Sequence, residues 1–231
     1  MLPHPAPGLG LGKPVEPAYV WADQSEHPMN IGRITRLDDE DDKKQNEPQN
    51  APAVIEKALF DARVVMLTGE VNDQQARRVT ERLFALDAQN ADPITFVISS
   101  PGGHVESGDM IHDAVKFINS PVKMLGTGWV ASAGALIFVA AKRENRYCLP
   151  NTRFLLHEPR GGVGGMASDV EIQAREILRM RERLNRIFAE ATGQTIDKIK
   201  KDVDRDYWMQ AEEAKAYGLV GAIVKSKNDI R

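Results

Sequence analysis

The sequence predicts an α/β fold with parallel strands. Three observations predict it. Short runs rich in Val and Ile recur from Val64 onward. Segments with helical spacing separate them. The stretch ahead of Val54 has neither pattern. Strand then helix, repeated three times, is the signature of a parallel sheet.

Residues 1–53 are rich in Pro, Gly, Asn and Asp and include the acidic run DDEDDKKQNEPQN. They hold too few large apolar side chains to offset the entropy of ordering. The expectation is a disordered N-terminal tail or removable pro-segment, with a single folded domain over 54–231.

Within that domain, Val64 to Leu67, Ile94 to Ser99 and Val122 to Gly126 read as buried strands. Asn72 to Ala88 spaces Ala76, Val79, Leu83 and Leu86 along one helical face, with Asn72 as N-cap and Gln75 three residues on. A second helix spans Val105 to Ile118, with Ile111, Ala114, Val115 and Ile118 inward and His112 at the surface. A third spans Ser132 to Ala141 in the run GWVASAGALIFVAA, where every residue from Val130 to Ala141 except Ser132 is apolar or glycine. Two short strands, Arg146 to Leu149 and Phe154 to His157, flank Pro150-Asn151. After GGVGGMAS, Ser168 and Glu171 form a capping box that opens a long helix ending at Gly193. Its seam is Val170, Ala174, Ile177, Leu184, Phe188 and Ala191. Glu171/Arg175 and Glu182/Arg186 have the spacing of supporting ion pairs. Short helices from Thr195 and over Ala211 to Tyr217 complete the chain.

The formal net charge of −3 gives no electrostatic reason to expect nucleic acid or an anionic membrane as partner. One cysteine, Cys148, excludes an internal disulfide and suits a reducing compartment. No apolar run approaches the ~18 residues of a membrane span. The N-terminal residues resemble neither a secretory signal nor an Arg-rich transit peptide. The expected location is the cytoplasm.

The chemistry-bearing position is Ser132, a lone hydroxyl at the head of an apolar segment. A nucleophilic serine needs a base, a carboxylate to orient that base, and donors for an oxyanion. Ser132 follows a strand and opens a helix, which suits either a nucleophile or an N-cap. Pro101-Gly102-Gly103 after the second strand allows close backbone approach, or simply a tight turn. Among the histidines, His4 and His27 fall in the tail and His104 follows the glycines. His157 ends an apolar strand, where it lines a site or bonds to backbone. Asp202, Asp204 and Asp206 cluster ahead of Tyr207 and Trp208, where the chain turns inward. Position alone does not choose among them.

Six stretches decide more. They are MLTGEV (66–71), FVISSPGGHVESGDMIHDA (96–114), GWVASAGALI (128–137), RYCLPNTRFLLHEPRGG (146–162), DVEIQAREILRMRERLN (169–185) and DRDYWMQAEEAKAYGLV (204–220). In order and spacing they resemble the proteolytic subunit of the ATP-dependent Clp protease, over about two thirds of the chain. The resemblance implies Ser132 as nucleophile, His157 as general base and Asp206 as orienting acid. It implies an oxyanion hole from the N–H groups of Gly103 and Ala133. It also implies a crotonase-like spiral of ββα units with a protruding strand–helix handle, about 158–193. Two stacked seven-membered rings are implied, with unfolded polypeptides as substrates. Asp204 and Arg205 match residues that link ring contact to triad alignment. No cofactor or metal is implied on this chain: ATP would be used by a separate AAA+ Clp unfoldase, and the chain lacks a phosphate-binding loop of its own.

The chain departs from that family ahead of the first core strand. APAVIEKALFDARVVML replaces the usual Gly-Glu-Arg motif and the Asp-Ile-Tyr-Ser-like segment that shape the axial pore. The resemblance therefore covers the catalytic part and not the unfoldase-facing entrance. Competing readings are a non-catalytic or specialised subunit of a mixed ring, an acyl-CoA enzyme of the wider crotonase group, and a Ser-Lys peptidase using Lys123.

Overall fold

The computed structural model of the chain describes residues 51–162 and 164–230. The tail expected over 1–53 lies outside those residues up to position 50. Helix α1 (Ala51–Asp61) follows, and Pro52 is tolerated in its first turn because no intrahelical N–H is lost there.

The strands are β1 (Val64–Thr68), β2 (Ile94–Ser100), β3 (Val122–Ala131), β4 (Arg146–Cys148), β5 (Arg153–Leu156), β6 (Tyr207–Gln210) and β7 (Ala222–Ile223). The main sheet runs β1-β2-β3-β4-β7, all parallel. β5 also joins β3 in parallel, and β6 is antiparallel to β5. Strand β3 is therefore shared. Its first half, Met124 to Gly126, pairs with β4, and its second half, Trp129 to Ala131, pairs with β5. The sequence places the end of this strand at Gly126, but the strand continues to Ala131. Gly126 and Gly128 read locally as a turn, and long-range pairing with β5 overrides them.

Strands β1, β2 and the first half of β3 are not buried on both faces, as their apolar runs suggest. In β2 burial alternates, with Ile94, Phe96, Ile98 and Ser100 inward and the intervening residues half-exposed. The inward face meets α2 (Asp73–Gln89), α3 (Val105–Phe117) and α4 (Ala133–Phe138). Asn72 caps α2 by accepting from the Gln75 N–H at 2.9 Å, while the Gln75 side chain turns to the Thr68 carbonyl. Helix α2 buries Ala76, Val79, Leu83 and Leu86, and α3 buries Ile111, Ala114 and Val115. Each large aliphatic side chain so buried contributes about 1.5–3 kcal/mol. His112, expected at the surface, is 5% exposed, because it lies on the same inward side of α3 as the buried Gly108 and Val115, four positions before and three after it. Burial depresses its pKa.

Helix α5 (Ala167–Thr192) is the long helix, closed by Gly193 in the left-handed conformation. It begins one residue before Ser168, so the expected capping box does not form: Met166 is the N-cap and supplies no side-chain bond. The seam divides in two. Leu184 and Phe188 are buried, whereas Ala174 and its neighbours are exposed. Glu171 pairs with Arg175 at 2.7 Å, but Glu182 pairs with Lys200 at 2.9 Å rather than with Arg186. Arg183 grips Asp109 of α3 through two bonds of 2.6 Å. Residues 157–162 and 164–166, ahead of α5, form no strand of a handle. Helices α6 (Ile196–Val203) and α7 (Ala211–Tyr217) follow.

Candidate active site

Strand register brings three sequence-distant residues to one edge. Ala131 pairs with Leu155, and Leu156 pairs with Tyr207. Ser132 follows Ala131, His157 follows Leu156, and Asp206 precedes Tyr207. Each is thus the next residue beyond a paired position, at the same end of three adjacent strands. The Ser132 N–H donates to the Leu155 carbonyl at 3.0 Å, which fixes the end of β3 to the end of β5.

Ser132 has φ 53° and ψ −121°. Outside glycine this conformation costs about 1–3 kcal/mol and persists only where the surroundings enforce it. It occupies the N-cap position of α4, but its hydroxyl makes no capping bond to the helix. The enforcement comes from small residues. A Cβ on Gly102 would lie 2.5 Å from the Ser132 Cβ, and one on Gly108 would lie 3.2 Å from the Ala133 Cβ. Gly103 (φ 145°) runs so close to Val71 that a Cβ there would meet the Val71 carbonyl at 2.2 Å. The Val71 N–H bonds the Gly102 carbonyl, and the His104 N–H bonds the Val71 carbonyl, each at 2.8 Å. The glycine turn is thereby held against both β1's exit and Ser132.

His157 is mostly buried, with 13% of its side chain exposed. Its Nδ1 lies 3.2 Å from Asp206 Oδ1. The distance suits a hydrogen bond but the direction does not, and Nδ1 is left buried without one. The same Oδ1 accepts a close bond from Arg160 Nη2. Burial, followed by the Arg160 cation, pushes the imidazole below its ordinary pKa, while Asp206 and Glu158 oppose the shift.

The other aspartates are accounted for. Asp202 accepts from Lys198 Nζ and from the Tyr217 hydroxyl, both at 2.7 Å. Asp204 is exposed, and Arg205 donates to its carbonyl at 2.8 Å. His104 faces Ser107 at 2.8 Å, Asp73 at 3.1 Å and Glu106 at 3.1 Å, a separate surface cluster. Lys123 stands nine positions upstream on β3, roughly 30 Å along the strand from Ser132, and cannot serve as its base. Among the described residues no acidic, His or Cys cluster is arranged to hold a metal. Sequence reasoning missed Arg160, which lies 46 positions from Asp206 and gives no local signal.

The Clp protease family matches residues 47–227. The chain belongs to the Clp protease family. Among its relatives, the ATP-dependent Clp protease proteolytic subunit 2 of Gluconobacter oxydans is 54% identical over 219 residues, covering 90% of this chain and 98% of the relative. Proteolytic subunit 3 of Rhizobium etli is 59% identical over 193 residues, covering 84% and 98%. ClpP1 from Listeria monocytogenes superposes with a TM-score of 0.70 at 48% identity, covering 77% of this chain and 99% of that one. A mutant of the same ClpP1 gives 0.72 at 49%, with the same coverage. The α/β sheet is thus the ClpP fold, and the chain is a Clp protease proteolytic subunit, a serine endopeptidase. No helix among the described residues is long and apolar enough to cross a membrane.

Proposed function

We propose that this Clp protease subunit cleaves peptide bonds by acyl transfer through Ser132, His157 and Asp206. The observation that supports it most is the register that places those residues one step beyond paired positions of β3, β5 and β6. Ser132 Oγ attacks the substrate carbonyl as His157 takes its proton. The imidazolium then protonates the leaving amine as the C–N bond breaks. Water, deprotonated by His157, attacks the acyl-serine and releases the acid product. Asp206 orients the imidazole and balances its charge. The Gly103 and Ala133 N–H groups receive the developing oxyanion. Ala133 heads α4, where N–H groups lack intrahelical acceptors.

The working assembly is a pair of stacked seven-membered rings in the cytoplasm, fed with unfolded polypeptide by a separate AAA+ Clp unfoldase. ATP is spent by that partner, and this chain needs no cofactor. Asp204 and Arg205, both exposed, serve contact between rings. The exposed first half of α5, with Ile172 and Leu178 uncovered, supports a role in the same contact.

The test is active-site labelling of the full chain with a fluorophosphonate, Ser132→Ala as control, and native mass on the labelled species. Ser132-dependent labelling of a species of about fourteen subunits is expected. Rings that form without labelling would favour a non-catalytic subunit of a mixed complex. Loss of any triad residue should cost on the order of 10⁴–10⁶ in kcat.

A further inference from the structure

We infer that Arg160 is a positioning residue that opposes the triad: its guanidinium holds the Asp206 oxygen that His157 needs, and the carboxylate orients the imidazole fully only when Arg160 is drawn away. The inference rests on the triad reading above.

Three observations lead to it. First, Arg160 Nη2 and His157 Nδ1 address the same atom, Asp206 Oδ1, and Arg160 is the closer. Second, the cost is visible on the histidine. Its Nδ1 is buried, near the carboxylate, and without a well-directed bond. A buried imidazole nitrogen is seldom left so, because its desolvation is then uncompensated. Third, Arg160 is cheap to move. Its side chain is 66% exposed, and solvent screening makes an exposed ion pair of this kind weak.

Arg160 is also mechanically connected. It lies on the segment between β5 and α5, two positions after Glu158. Glu158 pairs with Arg181 of α5 at 3.3 Å, and its N–H bonds the Val203 carbonyl at 2.9 Å. These two contacts tie the segment that holds Arg160 to α5 and to the end of α6. The charged groups facing His157 are Arg160, Asp206 and Glu158, with Arg181 behind Glu158. Arg160 is the cation among them that contacts the orienting carboxylate. Removing it takes away a positive charge and returns Oδ1 to His157, and both changes favour the imidazolium.

The experiment compares Arg160→Gln and Arg160→Lys with the unmodified full chain, using hydrolysis of a short fluorogenic peptide across pH. Ser132→Ala and His157→Ala set the background, and native mass checks assembly. For Arg160→Gln the acid limb of kcat/KM should move to higher pH. On the plateau kcat should rise roughly fivefold, the worth of about one net hydrogen bond, with KM unchanged. Arg160→Lys keeps the charge but loses the planar fork, so its limb should fall between the two. An unmoved limb, or a fall in kcat for Arg160→Gln at unchanged native mass, overturns the inference. Absence of Ser132-dependent turnover in every variant overturns the triad reading itself, and this inference with it.

Discussion

Gly102 and Ser132 are packed so that no side chain fits between them: a Cβ on Gly102 would stand 2.5 Å from the Ser132 Cβ and 2.9 Å from the Ala131 carbonyl. Two loops that are thirty positions apart in the chain are thus in backbone contact at the candidate nucleophile. Gly102 also holds φ 98°, which disfavours any L side chain.

Gly102→Ala should therefore abolish most activity without unfolding the domain. A displacement of about 1 Å at a reacting atom costs on the order of 10²-fold in rate. Peptidase kinetics alongside thermal unfolding will show it. Retention of more than about half the kcat would contradict the packing.

The depressed pKa of His157 has a definite sign. Burial and the Arg160 cation disfavour the imidazolium, so the neutral base persists below the ordinary 6.5. The acid limb of kcat/KM should fall below that value. The same group links pH to stability. Between its folded and unfolded pKa the unfolded chain binds more protons, so this contribution is complete above 6.5 and is lost as pH falls through the folded value. A limb at or above 6.5 in the unmodified protein would show the imidazole to be solvated instead.

The Arg183–Asp109 fork ties α5 to α3 by two bonds of 2.6 Å. Its bidentate geometry makes it stronger than a simple surface pair, though Arg183 remains 42% exposed. Arg183→Ala should lower stability by about 1 kcal/mol, or roughly 2–4 °C in Tm for a domain of this size. A double-mutant cycle with Asp109→Ala isolates the pair; a coupling of zero would mean that α5 is held by Leu184 and Phe188 alone.

Cys148 is fully buried in β4, and burial pushes its thiol up to about 12. The thiolate is the reactive form. Iodoacetamide at mildly alkaline pH should leave the folded protein unmodified and alkylate it quickly in urea. Mass spectrometry will distinguish the two, and rapid native alkylation would mean that β4 opens locally.

Much of the α/β order could be read before folding, because α2 and α3 repeat their apolar residues at helical spacing and β1 and β2 are short Val- and Ile-rich runs. The strand misreadings share one cause, a pairing partner that is distant in sequence. Gly126 and Gly128 look like a strand end, yet β5, separated in sequence, extends β3 past them. Ser168 and Glu171 have capping-box spacing, but the helix starts at Ala167 and leaves them within its first turns. Strand β6 is four residues long and has only Met209 buried, so its identity depends on β5 beside it. At the site, Ser132 and His157 were conspicuous as polar residues ending apolar runs. Asp206 was not separable from Asp202 by local chemistry. The distinction lies in the Tyr217 hydroxyl, which already occupies Asp202.

The sharing of β3 between β4 and β5 also determines where the chain can change length. Slipping a strand by one residue turns every side chain to the opposite face. An insertion between Gly126 and Ala131 would leave the pairing with β2 and β4 upstream intact, yet rotate Ser132 away from the end of β5. Added residues at Gly164 and Gly165 meet no such restraint, because these glycines sit in exposed backbone outside any strand. Length variation across relatives should gather in the glycine-rich segment and be absent from the six positions leading into Ser132.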